Sequence, residues 1–240
     1  MSRKTMKWAG GLALGDGWAF YRGVAGDNSP HAHYAAQLIC GRSSPTSAIV
    51  DGDPVTNRII FIPSNTRHQL APRAEPIHIL YVEPALLHIG DSEKLSTERD
   101  CAISLYETIE QKSRRSDNDF DPSLFGGYDD ARIVAAIDLI EQGLDAPIRL
   151  EDLAFACNLS KSRFAELFRK TTQLSLRQFV LWQRLRRAML AIGAGESATC
   201  AAHGAGFSDA AHFSRTLRNM FGVTPRDIMS TVAIEDPVGS

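Results

Sequence analysis

The chain has no apolar run approaching the roughly 18–20 residues that a membrane helix needs, so no spanning segment is expected. Nor does it open on a secretory signal. Met1–Lys7 is basic, but the Ala-Gly-Gly-Leu-Ala-Leu-Gly that follows is too short and too interrupted for a signal core, which predicts a cytoplasmic protein. Cysteine is scarce. Cys40, Cys101, Cys157 and Cys200 stand far apart, without the close pairs of a zinc motif. Isolated reduced thiols are the expected reading, with a redox or thiophilic-metal sensor as the alternative. No Ser-His-Asp arrangement, phosphate-cradling glycine loop or carboxylate pair stands out, so neither an enzyme nor a bound cofactor is expected. Net charge is small, −2, and by itself argues for no polyanionic partner.

What is present is unevenly placed. The 240 residues, 44% apolar and 22% charged, suit an ordinary globular chain of two modest domains. Residues 1–148 carry 14 Lys and Arg against 20 Asp and Glu, whereas residues 149–230 carry 12 against 6. A basic block confined to one segment suggests a module that binds a polyanion.

Periodicity divides the chain. Short apolar or alternating runs at Trp18–Tyr21, Gln37–Cys40, Ala48–Val50, Ile59–Ile62 and Ile77–Val82, separated by Gly-, Asp- and Pro-rich turns, predict a small β barrel or sandwich. Thr97–Gln111 predicts a helix with Cys101, Leu105, Tyr106 and Ile109 on one face. It is a candidate dimer interface or a helix packing on its own barrel. Lys112–Ser123 reads as a polar linker. The expected division is 1–88 β barrel, 89–128 helical segment and linker, 129–231 helical domain and 232–240 flexible tail. The fold class is α+β multidomain.

From Asp130 the helical period takes over. Ala131–Gln142 places Ile133, Ile137 and Ile140 on one stripe. Glu151–Ala156, a turn at Cys157–Leu159 and a helix capped by Ser160 form a helix-turn-helix pattern. On its second helix Phe164, Leu167 and Phe168 share one face, while Ser162, Glu166 and Arg169 face away. Ser175–Ile192 reads as a connecting helix bearing Arg177, Arg184, Arg186 and Arg187. A second copy follows: Ser197–Ala202, a turn through Gly204–Phe207, and Asp209–Phe221, with Phe213, Leu217, Met220 and Phe221 inward and Ala211, Arg215 and Arg218 outward. Two such units joined by an arginine-bearing helix predict a double-stranded DNA binder whose outward cations neutralise phosphates.

The stretch Gly206-Phe207 … His212-Phe213 … Arg215 … Arg218 … Phe221-Gly222 … Thr224-Pro225 resembles the signature of AraC/XylS-family transcription regulators. Leu159-Ser160, Phe164, Leu167-Phe168 and Lys170 resemble that family's first helix-turn-helix. The resemblance covers residues 131–230 and implies two recognition helices entering successive major grooves. It places DNA contacts on Lys161, Ser162, Arg163, Ala165, Glu166, Arg169 and Lys170, and on Ala210, Ala211, His212, Arg215 and Arg218. The alanines suit methyl contacts to thymine and Glu166 suits cytosine N4, unless it pairs with Lys170 four residues on. A homodimer is implied, as is contact with RNA polymerase if the protein activates.

His31-Ala-His33, Gln37 and Gly41, with Pro63-Ser-Asn-Thr-Arg-His68, resemble the two motifs of a cupin barrel. This implies a small-molecule effector site near His31, His33, Gln37, Arg67 and His68, with no metal as the leading expectation. The alternatives are a structural remnant, in which His31, His33 and His68 only satisfy polar contacts, and a metal-binding cupin, sensor or enzyme. Gln37 stands where metal-binding cupins have a glutamate, and an amide is the weaker ligand for Fe, Mn or Zn.

Overall fold

The computed structural model describes residues 5–88, 97–113 and 127–235. The first part is built from β1 (Ala9–Gly15), β2 (Trp18–Ala25), β3 (Ala36–Gly41), β4 (Thr46–Val50), β5 (Asp53–Asn57), β6 (Ile59–Ile62), β7 (His68–Leu70) and β8 (Arg73–Val82), followed by a 3-10 turn at Pro84–His88. The remainder holds α1 (Glu98–Ser113), α2 (Ala131–Gln142), α3 (Leu150–Ala156), α4 (Lys161–Thr172), α5 (Leu176–Gly193), α6 (Ala198–Gly204), α7 (Ala210–Phe221), α8 (Pro225–Ile228) and β9 (Val232–Glu235). No helix among the described residues is long and apolar enough to cross a membrane. Of the linker expected at 112–123, residues 114–123 lie outside the described residues.

The strands form two open sheets, ordered β6-β3-β8-β2-β1-β9 and β5-β4-β7, in place of the closed barrel expected from the sequence. Two features account for this. β9 occupies the edge of β1, pairing parallel from Gly10↔Val232 to Ala13↔Glu235, so that edge is not free to close a barrel. β5 is largely exposed and carries Pro54, which has no N–H to extend a ladder. Residues 232–235, expected to begin a flexible tail, are therefore part of the larger sheet.

Strict side-chain alternation gives the larger sheet two apolar faces. Trp18, Phe20, Leu38, Cys40, Leu80 and Val82 face α1, where Ala102 and Ile109 are buried against them. The helix proposed as a dimer interface thus spends its apolar face on its own sheet. Glu110 holds it there, 2.5 Å from Arg42 and 2.9 Å from His78. The other face, with Ala19, Tyr21, Ile39, Ile77 and Ile79, shares one continuous core with Trp182, Leu185 and Met189 of α5 and Phe213, Leu217 and Met220 of α7. A separate core joins α2, α3, α4 and the start of α5.

Helix starts follow local chemistry. Ser160, Ser175, Ser197 and Asp209 each accept a backbone N–H from the first turn with their side-chain oxygen. Gln178 completes a capping box with Ser175.

Candidate nucleic-acid interface and buried histidine cluster

The two helix pairs repeat each other bond by bond. Between α3 and α4, Cys157 N–H donates to Leu153 O and Leu159 N–H to Ala154 O. Between α6 and α7, Ala205 N–H donates to Ala201 O and Phe207 N–H to Ala202 O. In α4, Phe164 and Phe168 are buried, and the Phe168 ring meets Phe179 of α5 edge-on at 5.3 Å. Lys161, Ser162, Arg163, Ala165, Glu166, Arg169 and Lys170 are all exposed. In α7, Phe213, Leu217 and Met220 are buried, leaving Ala211, Arg215 and Arg218 exposed and Ala210 and His212 half-buried. Ser162, Glu166 and Arg169 thus correspond in register to Ala211, Arg215 and Arg218.

Several of these side chains already have partners. Glu166 pairs with Arg163 at 3.0 Å, not with Lys170 as the helical spacing suggested. Lys161 reaches Glu151 of α3 at 2.6 Å. Both pairs are exposed, so they contribute little and can be exchanged for phosphate contacts. His212 rests edge-on against Phe207, with Nδ1 3.2 Å from Ser208 Oγ. Ala210 and Arg218 border a cleft shared with Thr5–Trp8 and Asp27–Ser29.

The arginines of α5 divide. Arg177 and Arg187 are exposed, but Arg184 donates to Leu144 O and Ala146 O at 3.0 and 2.9 Å, fastening the loop after α2 to the connecting helix. Arg186 pairs with Asp16 at 2.8 Å.

Of the residues assigned to an effector site, His31, His33, Gln37 and His68 come together and are buried, while Arg67 stays exposed. One nitrogen from each histidine lies within 4.8 Å of the others. Their Nδ1 atoms face backbone carbonyls: Ser29 O for His31 at 2.8 Å, Ala35 O for His33 and Thr66 O for His68, both at 2.9 Å. A neutral ring donating at Nδ1 presents a lone pair at Nε2. His68 Nε2 is buried with no hydrogen-bond partner among the described residues. Gln37 Oε1 lies 3.1 Å from His33 Nε2, and a half-turn of the amide brings its NH2 to that lone pair. Burial and then the charge of His68 lower His31 to about 4. Burial and then the neighbouring histidines lower His33 to about 3, and burial lowers His68 as well. The cluster is therefore neutral at physiological pH.

Pattern reading missed the wall of this cluster. Phe221 of α7 stacks on His33 at 5.4 Å, and Ser29 N–H donates to Gly222 O at 2.9 Å, so the histidines lie directly against the end of the second helix pair.

A family model described as "Helix-turn-helix domain" matches residues 153–230. The chain is 32% identical, over 36% of its length, to the Msm operon regulatory protein of Streptococcus mutans. It is also 32% identical, over 47% of its length, to the HTH-type transcriptional regulator GbdR of Pseudomonas aeruginosa. The chain carries the DNA-binding domain of the AraC/XylS family. The matched stretch spans about a third of each relative, 32% of the first and 31% of the second. Beyond this AraC-type domain, the fold is similar to that of ToxT from Vibrio cholerae O395, with TM-score 0.54, 10% identity, 94% of this chain covered and 100% of that one. A ToxT structure with bound unsaturated fatty acid matches at TM-score 0.51 and 11% identity, over 96% of this chain and 97% of that one. These likenesses show a shared fold, a sheet domain followed by a helical domain, over most of the chain.

Proposed function

We propose that the protein is a sequence-specific DNA-binding transcription regulator that reads two successive major grooves and answers to a signal received by its sheet domain. The observation that carries this reading is the repeated pair of outward faces, Ser162/Glu166/Arg169 on α4 and Ala211/Arg215/Arg218 on α7, whose inner faces lock into cores that meet on one helix, α5. A homodimer, and contact with RNA polymerase where the protein activates, extend the same reading. The exposed Arg215 suits a bidentate contact to guanine, and the short Ala165 and Ala211 suit thymine methyls.

Selection from random duplexes is expected to enrich a site with two blocks about one helical turn apart. Arg215→Ala is expected to weaken binding to that site by about 1–3 kcal/mol, roughly 5- to 150-fold, and to relax specificity at one position. Arg169→Ala is expected to lower affinity for all sequences and to reduce the salt slope by about one. Equal binding of selected and scrambled duplexes would remove the specific-reader assignment.

A second reading is favoured by His68 Nε2, a buried acceptor without a partner among the described residues. His31, His33 and His68 fit a zinc or copper ion: each ring is neutral, has Nδ1 beside a backbone carbonyl, and offers one nitrogen within 4.8 Å of those of the other two. The donor set is all imidazole, since Gln37 brings no charge, which suits zinc or copper over harder ions. A bound ion would act as a Lewis acid or as a clamp joining the His31–His33 segment to His68 at the start of β7. Equilibrium dialysis against zinc is expected to give one ion per chain, lost in His68→Ala. No retained metal in the parent chain would leave the cluster as a purely structural one.

A further inference from the structure

A cavity of about 110 Å³ lies where the larger sheet, the connecting helix and the second helix pair meet. Leu12 and Tyr21 line it from the sheet, Trp182 and Met189 from α5, and Leu217 and Phe221 from α7. Among the described residues, the one charged side chain on its wall is Arg186. Its Nη2 is taken by Asp16, but its Nε is buried with no partner among the described residues. A buried N–H left unmade is costly, so what this wall lacks is an acceptor atom.

The surrounding charge decides what kind of acceptor. Asp16 is ion-paired with the guanidinium, and both Glu83 and Glu141 lie within the field of Arg186 and of Asp16. One cation is thus already shared among three carboxyl groups, and a ligand carboxylate would add to the acidic side. A neutral oxygen uses the free N–H without that repulsion. Size sets the other limit. An apolar cavity of about 150 Å³ holds a benzene molecule, so this smaller one, which is partly open, seats at most one ring with any substituent in its mouth.

We propose that this cavity binds a small neutral molecule of about one aromatic or alicyclic ring, with a carbonyl or comparable oxygen accepting from Arg186 Nε. Such a ligand touches the sheet, α5 and α7 at once. It favours the arrangement in which the second helix pair is docked on the sheet, and it changes DNA affinity to the extent that docked and undocked forms bind DNA differently. That consequence rests on the DNA-binding reading above; the binding itself does not.

The test is calorimetric titration of the full chain with acetophenone, benzoate and toluene, which share a ring and differ in the acceptor. Acetophenone is expected to bind with unit stoichiometry, about ten-fold or more tighter than either of the others. Arg186→Met keeps the packing and leaves Asp16, which is 62% exposed, free to be hydrated. It is expected to erase the preference of acetophenone over toluene while toluene still binds, a ratio that a misfolded variant cannot reproduce. Met189→Phe, which fills the space, is expected to abolish binding of all three. Benzoate binding tighter than acetophenone would overturn the neutral assignment, and no binding of any probe at millimolar concentration would overturn the site. Titrations repeated on a selected duplex separate the two claims. Ligand binding with no specific DNA binding defeats the regulator reading alone, and DNA affinity unmoved by bound acetophenone defeats the proposed coupling.

Discussion

Replacing Gly222 by valine is expected to cost roughly 2–5 kcal/mol of unfolding free energy. The residue caps α7 in the left-handed region at φ +69°, which a β-branched side chain reaches only at about 1–2 kcal/mol or more. A Cβ there would also lie 2.3 Å from Ser29 O and 2.7 Å from His31 Nδ1. These atoms belong to a half-buried crossing closed by the Ser29–Gly222 hydrogen bond, and overpacking costs about 1–3 kcal/mol. Gly204→Ala is the matched control. It lies in α6 with nothing within 4 Å of a new Cβ, and a gain of up to about 1 kcal/mol is expected. Urea unfolding of both variants checks the contrast. A Gly222→Val chain as stable as the parent would mean that the sheet does not hold the end of α7 in this way.

The second large effect lies at Glu83, the fully buried residue after β8. Tyr128 O–H donates to its Oε2, while Oε1 has no partner among the described residues. Burial, against the lowering influence of Tyr128, raises its pKa from 4.5 to about 7. The folded chain therefore holds this proton more tightly than the unfolded one. The stabilisation is complete below about pH 4.5, declines as pH rises and is gone above about pH 7. The shift corresponds to roughly 3 kcal/mol. Glu83→Gln mimics the protonated form, so it is expected to match the parent near pH 5 and to exceed it by an amount of that order near pH 8. Denaturation at the two pH values reads this difference directly, and parallel pH dependences in parent and variant would show that Glu83 does not hold the proton.

The helical domain was legible because its determinants are local. Ser160, Ser175 and Asp209 announce helix starts by chemistry that needs no distant partner, and the aromatic stripe from Phe164 to Phe168 reports burial through spacing alone. The strands divide along the same line. β3, β6 and β8 are rich in Ile, Leu and Val and could be read directly. β1 is Ala-Gly-Gly-Leu-Ala-Leu-Gly, without a β-branched residue, and is a strand because β2 and β9 flank it. β5 is polar and contains Pro54. Its clue was the Asp51-Gly52 turn, where both residues take positive φ as a tight hairpin requires. At the candidate sites, the His31-Ala-His33 and His68 motifs pointed to a cluster. The contribution of Phe221 and Gly222, and the inward turn of Arg184 and Arg186, depend on contacts between segments far apart in the chain, which spacing along one helix cannot report.

The pairing of β9 with β1 also sets an order of events during synthesis. Gly10 emerges from the ribosome long before Val232, its partner. At about 5–20 residues per second the edge of β1 waits on the order of 10–40 s for the strand that covers it. Through that interval the sheet carries an unpaired edge, the kind of surface on which nascent chains associate wrongly. A pairing of such long sequence separation also slows folding. Release of β9 is then the step that covers this edge, so premature termination just before residue 232 would yield a chain whose helices are complete and whose sheet remains open to a neighbour.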